Sequence, residues 1–110
     1  MDKIKSVDIV IPCYNVGKTI KKCIESLIDQ SFSNEKYHCF FINDASTDQT
    51  GDILEKYKNE KKITVIHHKK NSGLSSTRNS GIEAGSFDFI AFLDGDMVPK
   101  RDWLISFQSY

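Results

Sequence analysis

The chain has 110 residues, the length of one ordinary domain, which excludes a large multidomain enzyme within this sequence. Fifteen Lys and Arg residues balance fifteen Asp and Glu residues, so the formal net charge is zero. This balance argues against a nucleic-acid-binding protein, which needs an excess of cations to neutralise phosphates.

The first part of the chain shows two patterns of buried strands separated by the pattern of an amphipathic helix. Val7 to Pro12 is a short apolar run that ends at a proline, which is typical of a buried strand. Lys18 to Ser31 carries apolar residues at helical spacing among lysines and acids, which predicts a helix. Tyr37 to Asn43 predicts a second buried strand.

The same alternation continues to the end of the chain. It predicts a helix, a strand, a helix and a strand, in that order, over residues 48–58, 63–67, 75–84 and 87–93. Ser46, Thr47 and Asp48 are candidate caps of the second helix, and we assign Asp48 mainly to structure. An aromatic-rich segment, residues 103–110, follows.

Strands that alternate with helices are typical of βαβ units. Near-continuous apolar strands imply burial on both faces, which predicts an α/β fold with a mostly parallel sheet and helices on both faces. Ligands of such sheets bind beyond the carboxyl ends of the strands. We therefore expect the polar residues that follow the four strands to line one cleft.

Cysteine content and hydrophobicity indicate the compartment. The chain has an odd number of widely spaced cysteines, Cys13, Cys23 and Cys39. We therefore expect them to be small buried side chains that form neither disulfides nor a zinc site. The sequence shows no secretory leader and no apolar run of about 18 residues. These features predict a reduced, cytoplasmic protein, and they leave docking on a membrane surface open.

The sharpest chemical signal is the sequence Asp94-Gly95-Asp96, which directly follows an apolar strand. Two carboxylates at positions i and i+2 point to the same side of an extended chain. The glycine between them would let the backbone turn and a ligand approach closely. Mg²⁺ and Mn²⁺ prefer such oxygen ligands together with phosphate oxygens. A metal held there would neutralise a departing diphosphate.

Other strand ends carry further candidates. Tyr14 is placed to stack on a flat base, and Asp44 to accept a hydrogen bond from a base N–H or a ribose hydroxyl. Arg78, near the start of the third helix, is a candidate partner of a phosphate or of the two carboxylates. His67 and His68 end the third strand with no evident partner, so we expect them to be structural.

Four segments, IPCYN, INDASTD, NSGLSSTRNSGIEAG and FLDGD, together resemble the motifs of family 2 glycosyltransferases, which have the GT-A fold. Their order and spacing match along about residues 7 to 99. The resemblance implies an enzyme, a hexosyltransferase or related transferase of polysaccharide biosynthesis. Such an enzyme moves a sugar with inversion from a nucleotide-diphosphate sugar to an acceptor hydroxyl, usually with Mn²⁺ or Mg²⁺. Residues 1–110 would be one truncated domain, the Rossmann-like donor-binding half.

The resemblance also implies roles for individual residues. Pro12, Tyr14 and Asp44 would bind the base; in the DxD motif Asp96 would be the closer metal ligand and Asp94 nearer the ribose and metal. The full set of predicted nucleotide-sugar-binding residues is Pro12, Tyr14, Asn15, Asp44, Arg78, Asp94 and Gly95, and the predicted metal ligands are Asp96 and Asp94.

The sequence departs from the family pattern in places. Asn43 and Met97 stand where many relatives have acids. The family's general base lies in the later half of its domain, so we expect it beyond Tyr110 and assign no catalytic residue here. The 110 residues alone are therefore expected to bind a donor and to transfer little or no sugar.

The expected partners are a nucleotide-diphosphate sugar, with Asp44 favouring UDP weakly, and a glycan, lipid-linked or other acceptor. Self-association through Trp103, Phe107 and Tyr110 and membrane-surface association of a full-length protein stay open. The main alternative is a non-catalytic nucleotide-binding module, or an assembly partner that supplies half a site. A sugar-phosphate nucleotidyltransferase ranks low, because PCYN stands where that class has a glycine-rich phosphate loop.

Overall fold

A computed structural model describes residues 6–32 and 34–106, in which four strands alternate with helices. The elements in chain order are β1 (Val7–Cys13), α1 (Ile20–Ile28), a 3₁₀ turn (Asn34–Lys36), β2 (Tyr37–Asn43), α2 (Thr50–Glu55), β3 (Ile63–His67), α3 (Leu74–Ala84) and β4 (Phe89–Phe92). Every strand pair is parallel, and the strand order is β3-β2-β1-β4. The predicted α/β fold with a parallel sheet is confirmed.

β1 lies in the interior of the sheet and pairs along both of its sides. Its pairing with β2 runs from Val7 opposite Tyr37 to Cys13 opposite Asn43, and its pairing with β4 ends at Val10 opposite Phe92. Successive side chains of a strand point to opposite faces, so β1 contributes to two separate apolar layers.

The larger layer lies between the sheet and the helices α1 and α2. α1 buries Ile20, Cys23, Ile24 and Leu27, which recur at the i, i+3, i+4, i+7 spacing of one helical face. Leu54 of α2 joins them, and alternate residues of β1 and β2 complete the layer. The apolar face that the sequence predicts for the first helix is thus the face that packs on the sheet.

The smaller layer lies on the opposite face of the sheet, where α3 contacts β1 and β2. Val10, Phe40 and Ile42 are buried there. α3 approaches Val10 through Gly81, at which an added Cβ would lie 2.8 Å from Val10 Cγ2 and still closer to Cγ1. Helices therefore cover both faces of the sheet, as expected.

The helices are shorter than the sequence pattern suggests. α1 begins at Ile20 and ends at Ile28, inside the predicted range 18–31. α2 ends at Glu55, because the next three residues bond to carbonyls three positions back instead of four. The predicted end at Lys58 thus includes a 3₁₀-like tail.

The prediction for the fourth strand was wrong in extent and in burial. β4 covers only Phe89–Phe92 of the predicted range 87–93, and Phe89 and Phe92 are 53% and 44% exposed. Two features of the structure account for this difference. Within residues 6–32 and 34–106, β4 pairs with β1 alone, and Phe87 donates its N–H to the buried carboxylate of Asp8 at 3.0 Å instead of to a strand. An apolar run does not reveal which strand lies at an edge.

The segment after β4 returns to the end of α1. The buried side chain of Gln30 donates to the Lys100 carbonyl at 2.8 Å and accepts the Leu104 N–H at 3.0 Å. Leu104 is fully buried in the larger layer, and Trp103 packs against it. Phe107 and Tyr110, which the sequence offers for self-association, lie outside the described residues.

The three cysteines are free and buried, as expected. Burial raises the pKa of the Cys23 thiol to about 12 and raises the pKa of the Cys13 and Cys39 thiols further. Over residues 6–32 and 34–106, no helix has the length and apolar character needed to cross a membrane.

The close approach of α3 to β1 predicts that Gly81→Ala destabilises the fold. The added methyl group overpacks the buried Val10 side chain, so the free energy of unfolding in urea should fall by about 1–3 kcal/mol. Glu83→Ala, on the exposed side of the same helix, should change the free energy of unfolding by less than about 0.5 kcal/mol. Because alanine has the higher helix propensity, stabilisation by Gly81→Ala would contradict this packing argument.

Candidate functional site

A cleft of about 500 Å³ lies at the carboxyl ends of the strands. It is formed by the segments that follow β1, β2 and β4 and by the loop between β3 and α3. Its lining residues are Pro12, Cys13, Tyr14, Val16, Asp44, Asn71, Gly73, Leu74, Thr77, Asp94, Gly95 and Asp96. Six of the eight predicted site residues are therefore brought together, namely Pro12, Tyr14, Asp44, Asp94, Gly95 and Asp96.

The sequence Asp94-Gly95-Asp96 presents two exposed carboxylates on either side of a buried glycine. The Gly95 carbonyl accepts a hydrogen bond from Thr19 Oγ1 at 3.3 Å. A Cβ at Gly95 would lie 3.1 Å from Val16 Cγ2 and 3.4 Å from Cys13 Sγ. Close packing against Val16 and Cys13 thus explains why a residue without a side chain stands at position 95. The sequence pattern does not reveal this reason.

Tyr14 stands at the mouth of the cleft, directly beyond the end of β1. Its side chain is 49% exposed although it is a large aromatic residue. Aromatic rings of this kind offer a flat apolar face for stacking. The position of Tyr14 is compatible with the base-stacking role expected for it.

Asp44 is the most extensively bonded residue of the cleft, and it is only 5% exposed. Oδ1 accepts from His68 Nδ1 at 2.8 Å and from both the N–H and the hydroxyl of Ser72 at 2.9 Å. Oδ2 accepts from the Gly73 N–H at 3.0 Å. The carboxylate therefore holds the loop between β3 and α3 in place at the edge of the cleft.

These contacts also determine the charge of Asp44. Burial tends to raise its pKa, but hydrogen bonds from His68, Ser72 and Gly73 stabilise the ionised form more strongly. The net effect lowers the pKa from 3.8 to about 2. Asp44 is thus an anion at any pH near neutrality, able only to accept hydrogen bonds.

Sequence reasoning missed the partners of the two histidines. His68 Nδ1 contacts Asp44, and His68 Nε2 lies 2.8 Å from Ser80 Oγ on α3. His67 lies 3.0 Å from the Asn43 amide and 2.9 Å from Glu55. The sequence places both histidines at a strand end, but only the folded sheet shows that His68 belongs beside the cleft.

Sequence reasoning also left Asn71, Ser72 and Gly73 without individual roles. The dipeptide Ser72-Gly73 supplies the two backbone donors that bind Asp44. Gly73 adopts φ +88°, in the left-handed region that favours glycine. The NSG sequence after β3 was the available signal, because such residues are typical of tight turns.

Asn15 is not among the residues that line the cleft, and its predicted role in binding nucleotide stays a prediction. Its side-chain oxygen accepts the N–H groups of Thr47 and Asp48 at 2.8 and 3.3 Å. Its own N–H donates to Ser46 Oγ at 3.0 Å. The contacts indicate that Asn15 joins the β1–α1 loop to the β2–α2 loop.

Asp48 has the structural role expected for it. Oδ1 accepts from the N–H and the hydroxyl of Thr50 at 2.9 and 2.6 Å, at the start of α2. Oδ2 accepts from the Gly17 N–H at 3.0 Å, across the gap between the two loops. These bonds lower the pKa of Asp48 although its burial acts in the opposite direction.

Arg78 also lies apart from the residues that line the cleft. Its guanidinium stands over the ring of Phe92 on β4, 5.2 Å from the ring centroid, a cation–π arrangement. Arg78 is exposed on α3, one residue beyond Thr77 of the cleft lining. Its predicted contact with phosphate or with the two carboxylates stays a prediction.

The donor set of the cleft is compatible with a divalent cation whose coordination the phosphates of a substrate would complete. Within the described residues, no three His, Cys, Asp or Glu side chains converge as a metal site. Asp94 and Asp96 can supply two carboxylates from one wall. Mg²⁺ is commonly held by one or two carboxylates plus substrate phosphates, which matches this incomplete set.

Comparisons with known proteins agree with this architecture. The Bacillus subtilis protein described as uncharacterized glycosyltransferase EpsJ is 44% identical over 82% of this chain, which covers 26% of EpsJ. Glycosyltransferase AglE of Haloferax volcanii is 31% identical over 89% of the chain and 33% of its own length. The chain thus spans about a quarter to a third of these relatives.

Solved structures show the same fold. Staphylococcus aureus TarS 1-349 in complex with UDP-GlcNAc is 30% identical, with a TM-score of 0.86 over 94% of this chain and 30% of that chain. The Pyrobaculum calidifontis mannosyltransferase PcManGT, solved with GDP-Man and Mn²⁺, has a TM-score of 0.81 at 19% identity over 88% of this chain and 29% of its own.

The family description "Glycosyl transferase family 2" matches residues 8–110, nearly the whole sequence. That range contains all four strands, except Val7 at the start of β1, and every residue that lines the cleft. The match agrees with the resemblance carried by the four strand-end motifs. This chain belongs to glycosyltransferase family 2.

Proposed function

We propose that this chain forms the donor-binding part of an inverting glycosyltransferase, with a nucleotide-diphosphate sugar and a divalent metal in the cleft. One observation carries the proposal: a single cleft brings together an exposed aromatic ring, a buried anionic acceptor and a pair of exposed carboxylates. These residues are Tyr14, Asp44, Asp94 and Asp96. Such a set offers separate partners for a base, its polar edge and a metal-bound diphosphate.

The base would lie at the Tyr14 and Asp44 end of the cleft, with Pro12 beside it. Tyr14 would stack on the base, and Asp44 Oδ2, which accepts one hydrogen bond, would accept a second from a base N–H. Uracil presents an N–H on its pairing edge, and so does guanine, so the choice of a UDP-sugar as the favoured donor rests on the comparison with TarS. The UDP-GlcNAc complex of TarS, at 30% identity, supports this choice.

The diphosphate would lie at the other end, beside Asp94 and Asp96. These two residues would hold Mn²⁺ or Mg²⁺ through their carboxylates, with Asp96 as the closer ligand. When bound, the ion would neutralise the negative charge of the departing diphosphate. The zero net charge of the chain is compatible with this arrangement, since recruitment of the diphosphate through a metal requires no basic surface.

The reaction would be a direct displacement at the anomeric carbon of the sugar. The acceptor oxygen forms the new bond, the bond to the diphosphate oxygen breaks, and the acceptor proton passes to a general base. We assign that base to none of the cleft residues. The acceptor, whether a glycan, a lipid-linked sugar or another hydroxyl, and any membrane-surface docking belong to the activity proposed for the full-length protein.

Metal-dependent binding gives the first test. Asp96→Asn keeps the side-chain shape but removes the charge, so the affinity for UDP in the presence of Mn²⁺ should fall by about tenfold or more in calorimetry. Asp52→Asn, on the exposed side of α2, should leave this affinity unchanged. Equal UDP affinity of the wild type with Mn²⁺ and with a chelator would contradict the proposed metal site.

Stacking at Tyr14 gives the second test. Base–aromatic stacking contributes about 1–3 kcal/mol, so Tyr14→Ala should weaken UDP binding by roughly 5- to 150-fold. Tyr14→Phe retains the ring and should bind UDP nearly as well as the wild type. Comparable weakening by both substitutions would show that the hydroxyl, and not stacking, is the contact that matters.

The charge of Asp44 gives the third test. Its pKa of about 2 lies below the usual 3.8, so its stabilising contribution is complete above about pH 4 and is lost as the pH falls through about 2. At neutral pH, Asp44→Asn should lower the free energy of unfolding by about 1–3 kcal/mol. Urea denaturation at a series of pH values should show this difference shrinking from pH 4 towards pH 2. A difference independent of pH would contradict the assignment.

A further inference from the structure

We infer that His68 is a positioning residue that sets the orientation of the Asp44 carboxylate for the nucleotide base. This inference rests on the proposed function, in which Asp44 accepts a hydrogen bond from the base. His68 does not line the cleft. It would therefore act on the ligand through Asp44 and not by direct contact.

The direction of the hydrogen bond follows from the charge of Asp44. An ionised carboxylate can only accept, so the proton in the 2.8 Å contact must lie on His68 Nδ1. His68 Nε2 is placed against Ser80 Oγ at 2.8 Å. With both nitrogens partnered, the ring plane is held between the end of β3 and α3.

His68 has two anchors outside the loop that Asp44 supports, and its Nδ1 also lies 3.0 Å from Ser72 Oγ of that loop. Its N–H donates to the Asn43 carbonyl at 2.9 Å, which continues the pairing of β2 and β3, and its ring is fixed by Ser80 on α3. Ser72 and Gly73, by contrast, belong to the loop that the carboxylate itself holds. His68 thus links the carboxylate to the end of β2 and to α3.

The contacts distinguish the two carboxylate oxygens. Among the described residues, Oδ1 accepts from three donors, one of which is His68 Nδ1, whereas Oδ2 accepts from Gly73 alone. An oxygen with one donor retains an acceptor direction for a further N–H. The contact with His68 therefore helps to turn Oδ1 away from the ligand and leave Oδ2 for it.

Two substitutions of His68 separate this role from simple packing. Asparagine places an amide N–H near the position of Nδ1 and can still donate to Asp44. Glutamine carries its amide towards the position of Nε2 and leaves Asp44 without that donor. His67→Gln is the matched control, because His67 contacts Asn43 and Glu55 and makes no bond to Asp44.

The experiment is calorimetry of the folded protein with Mn²⁺ and three probes: UDP, GDP and inorganic pyrophosphate. Because hydrogen bonds to charged groups are strong, His68→Gln should lower the affinity for whichever of UDP and GDP binds more tightly by about tenfold. Pyrophosphate has no base and should bind as tightly as before. His68→Asn should restore most of the nucleotide affinity. His67→Gln should leave the affinities for all three probes unchanged.

The possible outcomes are distinct. An unchanged ratio of nucleotide affinity to pyrophosphate affinity in His68→Gln overturns the inference. If the two affinities fall by the same factor, the ratio is unchanged and the role of His68 is merely structural. A loss in His68→Asn as large as in His68→Gln overturns donation from Nδ1.

Two further outcomes separate the inference from the proposed function. If His68→Gln does not fold, Ser80→Ala must lower the same ratio, because it releases the other side of the ring; an unchanged ratio overturns the inference. If the wild type binds no nucleotide with Mn²⁺, the proposed function fails and the inference fails with it. Nucleotide binding by the wild type with an unaffected ratio in His68→Gln overturns the inference alone.

Discussion

Parallel pairing of β1 with a strand on each side determines where the cleft residues that follow β1, β2 and β4 lie. Because β2 and β4 run parallel to β1, the residues after all three strands emerge at the same edge of the sheet. The two registers differ in length: pairing with β2 continues to Cys13, whereas pairing with β4 stops at Val10. The earlier end of β4 lets the chain through Gly95 run against Cys13 and Val16, which positions the two carboxylates.

Carboxylate and amide side chains hold the loops around the cleft, and two of them, Asp44 and Gln30, are buried. Asp44 binds the loop after β3, Asp48 binds the turn after β1, and Gln30 binds the segment after β4. A buried carboxylate is costly unless its oxygens are hydrogen-bonded, and each of these side chains has several partners. The same bonds that stabilise the fold therefore also keep Asp44 ionised beside the cleft.

The sequence predicted the order of the strands and helices and six of the twelve residues that line the cleft, because apolar periodicity and strand-end polarity are local signals. It could not predict the exposure of β4, since the edge position depends on which strand pairs with which. It could not predict that the Asn15 side-chain oxygen accepts hydrogen bonds from a loop about thirty residues away. The His68–Asp44 contact was hidden for the same reason, because the two residues come from neighbouring strands.

The bond between Asn15 and the loop after β2 has a consequence for how this cleft can change. Exchange of the β1–α1 loop alone with that of another protein would leave the N–H groups of Thr47 and Asp48 without their acceptor. The loop after β3 is tied in the same way to Asp44. Each of these loops therefore depends on a side chain from another loop. We expect a recombinant or grafted cleft to keep its shape only when both loops of a bonded pair are transferred together.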